Sequence, residues 1–397
     1  MALPVVRLQP QRDKRVKNGH PWIYSNEIII EPTVKAIASG AIVEFRTHDR
    51  QFIGRGSYNS KSLIAGRVFS RQPIEAIDEN WLRAKLQAAL DLRASLLTEP
   101  FYRLVHAEGD GLPGLIIDRF GSHLVVQLNT AGMDSLWPLL ETALKDLLMP
   151  ESIVLRNDSA SRELEGVPRE NKIVLGAQDG PVEVHENGLT YFADLHGGQK
   201  TGWYFDQRDN HALVARYAAK ASSVLDLYTH AGGFALAAAK AGAKNVIGVD
   251  SSQPALDLAQ KAAEHNKLAK RCRFERADVF EDLERRIAAK EKSEVVIADP
   301  PAFVKSRKDA ASGARGYRKL ARMAASVTAP GGVLFIASCS YNMALPDFIE
   351  QVARGLHEAG REGRILHTVF AAPDHPVHPH LPESAYLKGL LLRVDGN

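Results

Sequence analysis

Val224-Leu225-Asp226-Leu227-Tyr228-Thr229-His230-Ala231-Gly232-Gly233-Phe234 opens the part of the chain that decides the fold. Its first five residues are apolar around one acid, the length of a buried strand rather than of a helix. Two glycines punctuate it, and an alanine-rich run with helical spacing follows over 233–241. The same alternation holds from residue 206 onward. A helix is expected over 206–219, then strand 224–228, helix 233–241, strand 245–249, helix 254–267, strand 273–276 and helix 280–290. Strand 295–298, a basic loop, helix 315–328, strand 332–338, helix 346–358 and strands near 365–370 and 387–394 complete the pattern. Strands alternating with helices predict an α/β fold with a parallel sheet covered on both faces. Such sheets bind ligands beyond the carboxyl ends of their strands. The chemistry is therefore expected just after residues 226, 249, 276, 298 and 337.

The first of these ends carries only two glycines, Gly232 and Gly233, and lacks the G-x-G-x-x-G spacing that lets a backbone approach a pyrophosphate. A cofactor without phosphate, such as S-adenosylmethionine, needs fewer. Asp226 would order the loop, with Tyr228 and Phe234 flanking it. The second strand ends in Val249-Asp250-Ser251, and Asp250 is placed to accept the hydroxyl protons of a ribose. NAD enzymes share that feature, so it selects an adenosine-type ligand without naming it. The third end, Asp278-Val279, offers an acceptor for an adenine amine, or equally a cap for the next helix.

Asp299-Pro300-Pro301-Ala302-Phe303 closes the fourth strand. Two prolines fix the backbone where a strand opens into a loop, so the Asp299 carboxylate is held rigid. Phe303 offers a face for a stacked base, as enzymes that modify a nucleotide require. Residues 302–323 then carry seven cations, Lys305, Arg307, Lys308, Arg315, Arg318, Lys319 and Arg322, against Asp309. That balance suits a clamp on a nucleic-acid backbone, or a solvated helix face. The fifth strand ends in Ser338-Cys339-Ser340, and Cys339 is a candidate nucleophile. Cys272, in a charged run at the start of a strand, reads as a small buried hydrophobe.

The 397 residues carry a net charge of only +3, but unevenly. Residues 1–71 hold 12 basic and 5 acidic side chains, residues 72–190 hold 10 and 19, and residues 191–397 hold 28 and 23. The chain is thus basic, acidic, basic, which points to different partners for different segments. Residues 1–71 contain short β-prone runs at 28–30, 41–45, 52–55 and 63–69, consistent with a small barrel. Within residues 50–71, Arg50, Arg55, Lys61, Arg67 and Arg71 lie among Phe52, Tyr58 and Phe69 without an acid, a mixture suited to phosphate and base contacts. A solvated basic face explains them equally well. A helix is expected over 78–99, and strands 114–118, 123–128, 153–156 and near 182–185 around helix 137–148 make a central β-β-α-β-β unit. Two cysteines exclude a disulfide framework or a multi-cysteine zinc site, so no metal site is expected. With no apolar run of membrane-spanning length and no signal-peptide order, the expected location is the cytoplasm.

Several motifs resemble one family. They are Lys17-Asn18-Gly19-His20-Pro21-Trp22, Glu108-Gly109-Asp110-Gly111-Leu112-Pro113-Gly114, Gly198-Gln199-Lys200-Thr201-Gly202-Trp203-Tyr204-Phe205-Asp206-Gln207-Arg208 and Asp374-His375-Pro376-Val377-His378-Pro379, followed by the run from Glu383 to Lys388 and Gly389. With the strand ends above, and over essentially the whole chain, they resemble the ribosomal RNA large subunit methyltransferase I family of class I S-adenosylmethionine-dependent methyltransferases. The resemblance implies a PUA domain over 1–73, a helical linker and central domain over 74–190, and a Rossmann-like methyltransferase domain over 191–397. It implies methylation of carbon 5 of a cytosine in large-subunit ribosomal RNA, with Cys339 as nucleophile and Asp299 holding the base. Lys200, Thr201, Gln207 and Arg208 would close over the cofactor, joining Asp226, Tyr228, Gly232, Gly233, Phe234, Asp250, Ser251, Asp278, Val279 and Asp299. Arg15, Lys17, Arg55, Lys61, Arg67, Phe303, Lys305, Arg307 and Lys308 would contact RNA, no membrane is involved, and a homodimer is compatible with the family. The family more commonly has Thr before the two glycines, where this chain has His230-Ala231. The competing readings are a base N-methyltransferase, acting for example on guanine, and a non-catalytic RNA-binding protein.

Overall fold

Val295, Val296, Ile297 and Ala298 are at most 2% exposed, and Leu334 to Ala337 are fully buried. Runs this apolar, without alternation, form strands only where both sheet faces are covered. In the computed structural model, which describes residues 3–73, 76–177, 180–198, 201–304 and 306–396, they lie in adjacent strands of a seven-stranded sheet. In chain order the strands are β1 (Ser223–Leu227), β2 (Asn245–Asp250), β3 (Cys272–Arg276), β4 (Ser293–Ala298), β5 (Thr328–Ser338), β6 (Glu362–Phe370) and β7 (Lys388–Asp395). Across the sheet they run β3-β2-β1-β4-β5-β7-β6, all parallel except β7. This is the Rossmann-like arrangement expected from the alternation.

The helices are α1 (Arg208–Ala218), α2 (Gly233–Ala241), α3 (Gln253–His265), α4 (Val279–Ala288), α5 (Ala310–Val327) and α6 (Leu345–Glu358). Local chemistry starts two of them. The Ser252 hydroxyl accepts from Ala255 N ahead of α3, and the Asp278 carboxylate accepts from Phe280 N and Glu281 N ahead of α4. Tyr317, Leu320, Ala321 and Ala324 of α5 join Phe348 and Val352 of α6 and the side chains of β1, β4 and β5 in one buried cluster. Each large apolar side chain among them contributes about 1.5–3 kcal/mol through burial, so this cluster fixes the sheet against its helices. Register then aligns the strand ends. Leu227 pairs with both Val249 and Ala298, and Ala298 with Ile336, so the loops after β1, β2, β4 and β5 leave one edge together.

The contacts divide the chain into two compact units, with the sheet in the second: Pro181–Asp194, Trp203–Ala372 and Ala385–Asn397. The first comprises Met1–Gly180, Leu195–Gly202 and Pro373–Ser384. It holds a small five-stranded sheet in the order Val5–Arg7, Ala41–Arg46, Phe52–Tyr58, Gly66–Ser70, Trp22–Ile23, around Val6, Leu8, Ile23, Val43 and Phe45. The run at 28–30 forms only an isolated bridge, Leu8 to Ile28. A second five-stranded sheet follows, ordered Glu170–Leu175, Ser152–Asn157, His123–Leu128, Leu115–Phe120, Phe101–His106, with the helices Glu79–Leu96 and Trp137–Leu148 in its core contacts.

Two of its strands depart from the sequence reading. Glu170–Leu175 is an edge strand exposed along most of its length, so it carries no apolar alternation. Phe101–His106 follows the helix after only Leu97 to Pro100 and is mostly buried, FYRLVH showing no clean apolar alternation. The alternating run at 182–185 is indeed a strand, but it pairs with Leu189–Ala193 in a hairpin grouped with the second unit. Alternation shows that one face is buried and leaves open which sheet buries it. Within the first unit, Glu165 ties the two sheets together. Its carboxylate accepts from Asn59 Nδ2, Ser62 Oγ, Arg67 Nη2 and Ala131 N.

Candidate active site

The loop after β1 is tight, with positive φ at Tyr228 (62°), His230 (49°) and Gly232 (83°). At Gly232 a side chain would meet both that backbone strain and Leu236 at 2.6 Å, which explains the glycine. Asp226 holds the loop from below. Its Oδ2 accepts from Thr229 Oγ1 at 2.6 Å and from Ala235 N at 3.0 Å. Its Oδ1 is buried and finds no hydrogen-bond partner among the described residues. Burial pushes the carboxyl up to about 7, against the hydrogen bond from Thr229. Asp250 is oriented by two backbone donors, His230 N to Oδ2 and Ser252 N to Oδ1, each 2.9 Å. Two bonds leave acceptor capacity on that carboxylate. Tyr228 is half-buried, and burial together with Asp278 and Asp250 raises its phenol.

The loop after β4 is held at Asp299 by Gln207, whose Nε2 donates to Oδ2 at 2.7 Å. Gln207 is itself fixed by Asn210 Nδ2 at 2.6 Å. Phe303 is half-buried and tilts against Tyr317, with centroids 4.8 Å apart, and against Phe280 at 6.3 Å. At the end of β5, Cys339 is half-buried, with Sγ 3.9 Å from the Pro300 carbonyl oxygen. The cysteine and the Asp-Pro-Pro corner therefore share one edge. Ser338 and Ser340, on either side, are buried and meet at the Tyr317 hydroxyl, each at 2.8 Å. Val304 N donates to Ser340 Oγ at 3.1 Å, linking the two loops.

Several expected residues have partners within the chain. Phe234 is 6% exposed and packs on His211 and Phe335, and the Val279 side chain belongs to the core, so neither presents a side chain to a ligand. Thr201 groups with the first unit and donates to Asp118 Oδ2. Gln207 grips Asp299, and Arg208 is held near Glu186. Asp278 is exposed and spends Oδ1 on its helix cap, and Ser251 is exposed. Lys200, Lys305 and the side chain of Arg307 lie outside the described residues.

Among the expected RNA contacts, Arg67 has a side chain only 11% exposed and bridges Glu108 and Glu165. It is an internal staple. Arg55 pairs with Glu44, Arg15 with Glu27 and Lys17 with Asp13. A charge count cannot tell a free cation from one already neutralised. Lys61 and Lys308 are exposed, as are Arg315 and Arg322, and none of the four pairs with an acid among the described residues. Tyr317, Ser338, Ser340 and Asn210 carried no sequence signal beyond ordinary core or helix positions, because their roles are set by tertiary contact.

The family pattern of S-adenosylmethionine-dependent methyltransferases matches residues 152–393, and that of a PUA-like domain matches residues 6–71. The chain is 38% identical to ribosomal RNA large subunit methyltransferase I of Aeromonas salmonicida, over 96% of this chain and 97% of that protein. It is 36% identical to the protein of that name from Pseudoalteromonas atlantica, covering 98% and 99%. The chain belongs to the ribosomal RNA large subunit methyltransferase I family. Among solved structures, SMU.776 complexed with SAH superposes with a TM-score of 0.83 at 19% identity, covering 99% of this chain and all of that one. A Streptococcus mutans protein gives 0.82 at 20% identity, covering 98% and 100%. These show the shared fold.

The family's cofactor is S-adenosylmethionine, and the residues present fit it. Asp226, Asp250 and Asp278 bring three carboxylates to neighbouring strand ends, a field that disfavours a phosphate-bearing cofactor. The buried, unpartnered Oδ1 of Asp226 and the spare acceptor capacity of Asp250 suit a ligand rich in ammonium and hydroxyl donors. Among the described residues no group of three or more His, Cys, Asp or Glu is placed to hold a metal ion, and no helix is long and apolar enough to cross a membrane.

Proposed function

We propose that the protein transfers a methyl group from S-adenosylmethionine to carbon 5 of a cytosine in large-subunit ribosomal RNA, through a covalent adduct with Cys339. The observation that carries this reading is the placement of Cys339 Sγ beside the Asp299-Pro300-Pro301 corner, 3.9 Å from the Pro300 carbonyl. Carbon 5 of cytosine is a poor nucleophile. A thiolate adding at carbon 6 pushes the ring electrons toward carbon 5 and makes it enamine-like. Asp299, held by Gln207, accepts from the exocyclic amine and offsets charge as the adduct forms. S-adenosylmethionine, when bound, supplies an electrophilic methyl group. Asp299 or water then takes the carbon 5 proton. The carbon–hydrogen electrons restore the ring double bond, and the carbon–sulfur bond breaks to release Cys339 as thiolate.

The exposed cations Lys308, Arg315 and Arg322, which pair with no acid among the described residues and follow Phe303 in the chain, support a backbone clamp next to a stacked base. The PUA-like domain, with Lys61 exposed, supports a second RNA contact. The reading includes a second copy of the chain as partner, by family resemblance, and the cytoplasm as location, where ribosomal RNA and a reduced thiol coexist.

The test is the C339A variant assayed on ribosomal RNA, with the product nucleoside identified by mass. Loss of 5-methylcytidine with cofactor binding retained is expected, together with a stable adduct between the unaltered protein and RNA containing 5-fluorocytidine. Methylation by C339A, or a methylated guanine as product, would overturn the covalent carbon 5 reading.

A further inference from the structure

Lys388 stands at the start of β7, as the Cα partner of Ser338, the residue before Cys339. Its side chain is 4% exposed. An ammonium buried this far is costly unless its donors are used and its charge is answered. Two donors are used, since Nζ donates to the backbone carbonyls of Ser340 and Met343, both at 2.7 Å. Those carbonyls belong to the turn that leaves Cys339. No carboxylate pairs with Lys388 among the described residues, so the charge is answered neither by an ion pair nor by solvent. Burial pushes its pKa down to about 8, and Cys339 is the group that acts against that shift.

Such coupling is mutual, because whatever a thiolate does for an ammonium, the ammonium does for the thiolate. Two other titratable groups beside this turn among the described residues carry no positive charge. Tyr317 of α5 is a neutral buried phenol that joins the flanking serines, and Asp299, at the end of the adjacent β4, is an acid. A backbone donor or a neutral amide would satisfy two carbonyls without burying a charge. We propose that Lys388 is a positioning residue for the nucleophile: it fixes the turn behind Cys339 and is a buried positive charge that favours the Cys339 thiolate. This rests on the covalent reading of Cys339.

The test is the pH dependence of iodoacetamide alkylation of the full chain, without RNA or cofactor, followed by peptide mass. Cys272 serves as internal control, since burial pushes its thiol up to about 12. Cys339 is expected to react with a midpoint below the ordinary thiol value of about 8.5. K388M should move that midpoint up by about one unit, slowing alkylation about tenfold near neutral pH. K388R, which keeps the charge, should restore most of the rate. In K388M, kcat should fall while the S-adenosylmethionine dissociation constant stays unchanged. An unshifted midpoint in K388M would overturn the proposal. Should K388M not accumulate folded, the unaltered protein decides, because a Cys339 midpoint at or above about 8.5 is incompatible with the proposal. Methylation by C339A would instead refute the covalent reading and leave the alkylation result standing.

Discussion

Asp226, a buried carboxylate and a proposed cofactor contact, ties stability to pH in a way that D226N should expose. The carboxyl is 1% exposed, and its pKa is raised from 3.8 to about 7, chiefly by burial. A raised folded-state value means that between pH 4 and 7 the folded chain holds a proton the unfolded chain has lost. Stability from this group is therefore present at low pH and falls as pH rises to about 7. A shift of roughly three units corresponds to about 4 kcal/mol, an upper bound once local relaxation is allowed. Asn keeps an acceptor for Thr229 Oγ1 and Ala235 N and does not titrate. Urea unfolding of both proteins at pH 4.5 and pH 8 gives the double difference, in which all other titrations cancel. D226N should gain up to about 3 kcal/mol relative to the unaltered protein between the two pH values, since part of the shift titrates below pH 4.5, with equal m-values. It should also bind S-adenosylmethionine about tenfold or more weakly, through loss of a charged acceptor. A double difference near zero would mean that Asp226 has a folded pKa close to its unfolded one, and the burial argument would fail.

Q207A should lower kcat by roughly tenfold or more and leave the cofactor dissociation constant nearly unchanged, as measured by calorimetry beside steady-state kinetics, because it removes a hydrogen bond that orients Asp299. R67A should destabilise the first unit by about 3–5 kcal/mol in urea unfolding, since it leaves Glu165 buried without its cation. Glu165 is held below its ordinary pKa despite its burial, so that stability is present at neutral pH and lost as pH falls through the acidic range. K61A should leave stability unchanged, weaken RNA binding and reduce the salt slope of log K by about 1. Y317F should cost about 1–3 kcal/mol by taking from the buried Ser338 hydroxyl the oxygen it donates to and from Ser340 one of its two partners, read as a lower urea midpoint.

The second unit was legible because its signals are local. Val295 to Ala298 is an unbroken apolar run, Gly232-Gly233 and Pro300-Pro301 punctuate strand ends, and the alternation gives the sheet type without any contact being known. Asp226, Asp250, Asp299 and Cys339 consequently fall at the edge where they were expected. What the sequence could not supply was partnership. Gln207 reads as a cofactor contact until its amide is seen on Asp299, 92 residues away. Arg67 reads as a phosphate contact until Glu108 and Glu165 neutralise it. Tyr317 carries the spacing of a core residue and is one, yet its hydroxyl joins the residues on both sides of Cys339. The exposed strand Glu170–Leu175 failed for the opposite reason, since a strand that buries little leaves no pattern.

The sheet order itself separates the two halves of the proposed reaction. β1 and β2 carry the carboxylates that suit the cofactor, while β4 and β5 carry Asp299 and Cys339, and the order β2-β1-β4-β5 places the division between β1 and β4. That is where the strand order reverses and a crevice opens in sheets of this kind. A methyl group passing from one half to the other crosses there. The residues that hold this edge come from outside the four strands: Gln207 and Asn210 ahead of and within α1 fix Asp299, Tyr317 of α5 ties the β4 and β5 loops together, and Lys388 of β7 holds the turn behind Cys339. Substitutions at these positions should therefore separate catalysis from cofactor affinity, which changes at Asp226 or Asp250 cannot do.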